Sequence, residues 1–85
     1  MSQIKTKVVT VRSVMGSAEF VRGFKDGKNH APWPKDSLDL KDGWNYERGR
    51  MYGVLYPGIP PKRGRQVDNR ALFLFVDAVN SGAII

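Results

Sequence analysis

The side chains best equipped for chemistry in this sequence are cations. The run PPKRGR, Pro60 to Arg65, places Lys62, Arg63 and Arg65 between a pair of prolines and the apolar segment that follows. Ammonium and guanidinium groups this close together suit charge-assisted hydrogen bonds to phosphate or carboxylate oxygens. Proline limits the freedom lost when such a loop orders, and glycine lets backbone approach a phosphate. A solvated tether that keeps the chain soluble is the other reading of the same composition. Arg22, Arg48 and Arg50 extend the set of candidate anion contacts, and Trp33, set in the loop NHAPWP, is a candidate stacking surface for an unpaired base.

Catalytic chemistry has little to work with. His30 is the only histidine and there is no cysteine, so one chain offers neither a two-histidine metal site nor a thiolate. Its setting between Asn29 and the prolines reads as loop rather than general base. Asp36, Asp39 and Asp42 recur every three residues at the start of an expected helix, where carboxylates complement the helix dipole better than they cluster around a metal. The Gly-x-x-x-Gly spacings lack the strand and Lys-Ser/Thr context of a phosphate loop. The expectation is a binding protein, not an enzyme, with no metal and no cofactor.

The totals agree with binding. Fourteen lysines and arginines against 8 acids leave a net charge of +6, which attracts RNA, DNA or an acidic protein face at long range. Eighty-five residues with 41% hydrophobic content make one small domain, and a chain this short buries only about 60–65% of its unfolded surface. The start MSQIKTKVV has no long apolar run, and no window reaches the ~18 apolar residues of a membrane span. A cytoplasmic protein without a membrane segment is expected.

These side chains must be held by a few short elements. IKTKVVTVRSV, Ile4 to Val14, is rich in valine and threonine with partial alternation, which favours an extended strand. Its partner would be Gly53–Tyr56, Ala83–Ile85, or the same segment of a second molecule, the last giving a homodimer through the N-terminal strand. Gly16 breaks the strand, Ser17 caps, and Ala18 to Lys28 reads as a helix with Phe20 and Phe24 on its apolar face. NHAPWP cannot continue it. A second helix restarts at Asp36 or Ser37 and ends near Gly53, with Leu40, Trp44, Met51 and Leu55 on one face and Trp44 in the core. Tyr56 to Asn69 reads as a long irregular surface connection. In the last segment, Ala71 to Val76 alone fits a buried strand, but Asp68 or Asn69 as cap, polar Arg70, Asp77 and Ser81, and Gly82 at the end favour a helix. The fold class is therefore mainly α: a helical hairpin (17–55), a basic Pro/Gly loop (56–68) and a C-terminal helix (69–82), with an N-terminal arm (1–15). An α+β fold with a C-terminal strand is the alternative.

FVRGFKDG, Phe20 to Gly27, and YERGRMYG, Tyr46 to Gly53, repeat one pattern at an offset of 26: aromatic, any residue, Arg, Gly, three residues, Gly. A glycine inside a helix costs about 1 kcal/mol relative to alanine. Close backbone approach in an antiparallel hairpin would offset that for Gly23, Gly43 and Gly49, while Gly27 and Gly53 read as left-handed C-caps. Arg22 and Arg48 hold equivalent places in the repeat.

The run RGFKDG, the loop containing Pro34 and the later DGW at Asp42 to Trp44 resemble the ribosome modulation factor family over Phe20 to Tyr52. The chain departs from that pattern in its added N- and C-terminal segments and in lacking a cysteine before the proline. Such a core is also similar to small basic proteins of bacteriophages and prophages. The resemblance implies two helices joined by a connecting segment, a basic surface and binding to the small ribosomal subunit. The expected partner is RNA or the ribosome, and the alternative is a phage-type modulator that binds a host protein.

Overall fold

A computed structural model describes residues 11–33 and 40–84. Among them are four helices and one two-stranded hairpin, in the order α1 (11–16), α2 (Ala18–Lys28), α3 (Leu40–Leu55), β1 (Lys62–Arg63), β2 (Gln66–Val67) and α4 (Asn69–Ser81). The mainly α expectation holds, and the C-terminal segment is a helix.

The expected N-terminal strand fails where it can be followed. Residues 11–16 are helical, and Ile4 to Thr10 lie outside the described residues. Val14 and Met15 are buried against the core, with Val11 packed beside them. Burial on a helical face thus overrides the weak β preference of valine and threonine. Ser17 ends α1 and starts α2 together: its hydroxyl donates to the Val14 carbonyl at 2.7 Å and accepts from the Phe20 N–H at 3.1 Å. The homodimer expected through this strand rests on a segment that lies mostly outside the described residues.

The structure packs α2 against α3 through glycine. A Cβ on Gly23 would collide with the Tyr46 carbonyl oxygen and lie 2.9 Å from the Arg50 nitrogen; one on Gly27 would collide with the Arg50 carbonyl oxygen. Across the contact, a Cβ on Gly49 would collide with the Phe20 carbonyl oxygen and one on Gly53 with that of Phe24. Contact positions rise together along both helices, so α2 and α3 run parallel. The expected pair of packed helices is present, with the antiparallel sense corrected. Gly27 and Gly53 are likewise corrected: they lie inside helices at the contact and cap nothing. Adding 26 to Gly23 and Phe20 gives Gly49 and Tyr46, so the Gly23–Tyr46 and Gly49–Phe20 contacts are two-fold mates, as are Gly27–Arg50 and Gly53–Phe24.

A parallel pair requires the chain to travel back. The roughly 11 residues between Lys28 and Leu40 reach at most ~36 Å extended, well beyond the ~16 Å rise of α2. The return begins in a Schellman turn, where the His30 and Ala31 N–H groups bond to the Gly27 and Asp26 carbonyls at 3.1 and 2.8 Å. His30 takes the left-handed position at φ 54°, a loop residue as expected.

One flank of the α2–α3 contact carries the apolar core. Phe20, Phe24 and Tyr52 meet Ala71, Leu72, Phe75 and Ala78 of α4, with Met15 and Ile84 closing the cluster. The Tyr52 hydroxyl donates to the Ile59 carbonyl at 2.8 Å, tethering the chain that leaves α3. Helix α4 has the expected punctuation: the Asp68 carboxylate accepts from the Arg70 and Ala71 N–H groups, and Gly82 ends it at φ 85°.

Gly49→Ala should lower stability by about 1–3 kcal/mol, because overpacking against a carbonyl outweighs alanine's helix preference. Gly58→Ala, at a glycine with nothing near its missing Cβ, should stay within about 0.5 kcal/mol of the parent. Urea unfolding of both variants checks the contrast.

Candidate nucleic-acid interface

The second flank of the helix pair is polar and aromatic. Tyr46 is buried there; its hydroxyl donates to the Asp26 carboxylate at 2.6 Å and accepts from the Arg50 guanidinium at 2.9 Å. Arg50 also donates to the Ala31 carbonyl at 2.5 Å, which fixes the start of the return loop. Its guanidinium lies over the Trp33 ring, 4.2 Å from the centroid, and Trp33 meets Tyr46 edge-on at 5.8 Å. Arg50, only 8% exposed, is thus held inside the fold and does not stand on the surface as a phosphate contact.

Burial, followed by the hydrogen bond to Asp26, raises the Tyr46 phenol above its ordinary pKa. Burial raises the Tyr52 phenol further, with the Asp68 and Tyr56 charges adding to the shift. Both groups bind their protons more tightly folded than unfolded.

The PPKRGR segment is neither a loose tether nor an irregular loop. Pro61 is buried and its carbonyl accepts from the Asp68 N–H at 2.9 Å. Strands β1 and β2 pair antiparallel, Lys62 opposite Val67 and Arg63 opposite Gln66. Gly64, at φ 66°, leads the two-residue turn, as a type II′ hairpin requires. The long connection expected from Tyr56 to Asn69 is therefore a tethered hairpin, and its last residue already belongs to α4.

The hairpin sorts the three cations. Successive strand residues face opposite ways, and Lys62 is half-buried while Arg63 and Arg65 are exposed. The Lys62 ammonium reaches the Gly16 carbonyl at 3.5 Å, at the C-terminal end of α1, where a positive charge suits the helix dipole. Between α2 and this hairpin lies an open groove of about 780 Å³. Arg22, Lys25, Lys28 and Lys62 line it with Pro60, Pro61 and Asp26. Asp26, the one acid among the described lining residues, already accepts a hydrogen bond from the Tyr46 hydroxyl.

Arg22 and Arg48 do not converge. The two-fold that relates α2 to α3 sends equivalent side chains to opposite sides of the pair. Arg22 lies 5.4 Å from the Tyr46 ring centre at the groove, whereas Arg48 stacks on Trp44 at 4.2 Å. Trp44 is 45% exposed rather than in the core: the inward face of α3 is set by Tyr46, Gly49, Tyr52 and Gly53, not by the Trp44–Met51–Leu55 stripe. Lys25 and Lys28 are groove residues beyond those picked from the sequence, and their spacing from Arg22 along α2 is the signal that marks them.

No helix among the described residues is long and apolar enough to cross a membrane. No protein-family model, curated protein or solved structure matches the chain.

Both phenols titrate in the unfolded chain near pH 10. Their contribution to stability is complete below that pH and fades as pH rises through the folded values. Melting temperature should therefore fall above about pH 10. Tyr52→Phe should be less stable at neutral pH, because the Ile59 carbonyl loses its donor, and should decline less steeply in alkali.

Proposed function

We propose that the chain is a small basic RNA- or ribosome-associated binding protein, non-enzymatic and cytoplasmic, that holds the sugar–phosphate backbone in the groove between α2 and the β1–β2 hairpin. The observation that carries this reading is the convergence of Arg22, Lys25, Lys28 and Lys62 on one groove, where Asp26, the single acid among the described lining residues, is engaged elsewhere. Each cation can neutralise a phosphate and release its counterion, and the prolines keep one wall in place without a ligand. Arg63 and Arg65 project from the same hairpin and extend the field toward a longer strand. The resemblance to ribosome modulation factor over Phe20 to Tyr52 points to the same class of partner.

A second reading, a modulator that binds a host protein, draws on Phe73 and Val54, which stand 72% and 57% exposed. Large apolar side chains in water are what a protein interface covers. Capture from a bacterial lysate with and without nuclease separates the two: loss of all partners after nuclease supports the first, and a retained protein supports the second.

The triple variant Lys25→Gln, Lys28→Gln, Lys62→Gln should bind RNA more weakly and with a shallower salt dependence. For a single strand, the slope of log affinity against log salt should shrink by ~0.7 for each phosphate that is no longer neutralised. An unchanged slope would place the phosphates elsewhere on the surface.

A further inference from the structure

Trp33 is held on one face and exposed to solvent. The Arg50 guanidinium lies over its ring at 4.2 Å and the edge of the pair is closed by Tyr46 at 5.8 Å. The residue is nevertheless 58% exposed, so more than half of its surface stands in solvent. Arg50 is itself fixed by Tyr46 and the Ala31 carbonyl, so the indole rests on a buried, hydrogen-bonded support. A freely rotating exposed tryptophan loses rotamer freedom when it binds; one braced in this way has already lost it.

The braced ring borders an open pocket with Met51, Val54, Leu55 and Ala83, and it is linked to the basic groove through Tyr46. Arg22 sits 5.4 Å from the Tyr46 ring centre, and Trp33 packs on the same ring. Tyr46 thus spans the short gap between a cation that lines the groove and the open indole.

We propose that Trp33 is a preformed stacking platform for an unpaired nucleobase, and that it makes the groove selective for single-stranded over duplex RNA. A base in a duplex is already stacked between its neighbours and cannot lie flat on a protein ring, whereas every unpaired base offers a free π-face. Arg50 holds the indole in place within the fold, so the platform exists before RNA arrives. This rests on the groove reading above: the phosphates set affinity, and the platform sets the kind of strand.

The test uses the full chain with Trp44→Phe, leaving Trp33 as the sole tryptophan. It is titrated with a short oligouridylate and with a blunt RNA duplex of the same length, while indole fluorescence is followed. The single strand should quench Trp33 and the duplex should not. Trp33→Leu should weaken single-strand binding about 5- to 150-fold and leave duplex binding unchanged, and Trp33→Tyr should restore most of the loss. Unquenched binding of oligouridylate, or equal loss on both RNAs in Trp33→Leu, overturns the platform while leaving the groove intact. Absence of binding to either RNA, or binding indifferent to the Lys25, Lys28 and Lys62 changes, overturns the groove reading and the platform with it. Circular dichroism of Trp33→Leu separates the loss of stacking from the loss of the fold, and the quenching arm does not depend on that variant.

Discussion

Two helices of this protein approach until each meets the other's backbone. Gly23, Gly27, Gly49 and Gly53 each present a bare Cα to a carbonyl oxygen of the opposite helix, and the hydrogen that replaces the side chain points at that oxygen. Such Cα–H···O contacts contribute about 0.5–1 kcal/mol each, comparable to the ~1 kcal/mol that each helical glycine costs. The recurrence of the geometry at four places makes it more than incidental contact. The apolar cluster lies on one flank of that ribbon and the polar network of Tyr46, Arg50 and Asp26 on the other.

The flanks have diverged although the backbone beneath them is repeated. Phe20 and Tyr46 are equivalent, as are Phe24 and Arg50, and Asp26 and Tyr52. Phe20, Phe24 and Tyr52 lie under α4 in the apolar core. Their counterparts Tyr46, Arg50 and Asp26 form a hydrogen-bonded chain that ends on the Ala31 carbonyl. One flank supplies hydrophobic stabilisation, and the other supplies a satisfied polar network that orients Trp33 and occupies the acid of the basic groove. A single scaffold thereby carries an apolar core on one side and a hydrogen-bonded polar network on the other.

Much of this is legible in the sequence where a local rule governs. Ser17 and the prolines after Lys28 delimit α2, Asp68 and Gly82 delimit α4, and the 26-residue repeat marks the two helices that meet. The sense of the pair is not legible, because a four-residue glycine spacing serves parallel and antiparallel contact equally well. Residues 11–16 mislead since valine and threonine fit a strand until a core exists to bury Val14 and Met15 on a helical face. The size of Trp44 suggests burial, but a stacked Arg48 lets it remain at the surface. The groove joins Lys25 and Lys28 to Lys62 from a distant segment, and no periodicity along the chain reports that meeting. PPKRGR reads as irregular because its pairing covers only two residues per strand.

The parallel arrangement has a kinetic consequence. In an antiparallel hairpin, contacts next to the turn close a small loop and the rest follow in a zipper. Here Gly23 meets Tyr46 and Gly49 meets Phe20, and the later pairs repeat those separations along the helices. No glycine contact is much more local than another, so each demands nearly the same chain-closure entropy. The pair has no short starting step and must assemble in one concerted event once both helices exist.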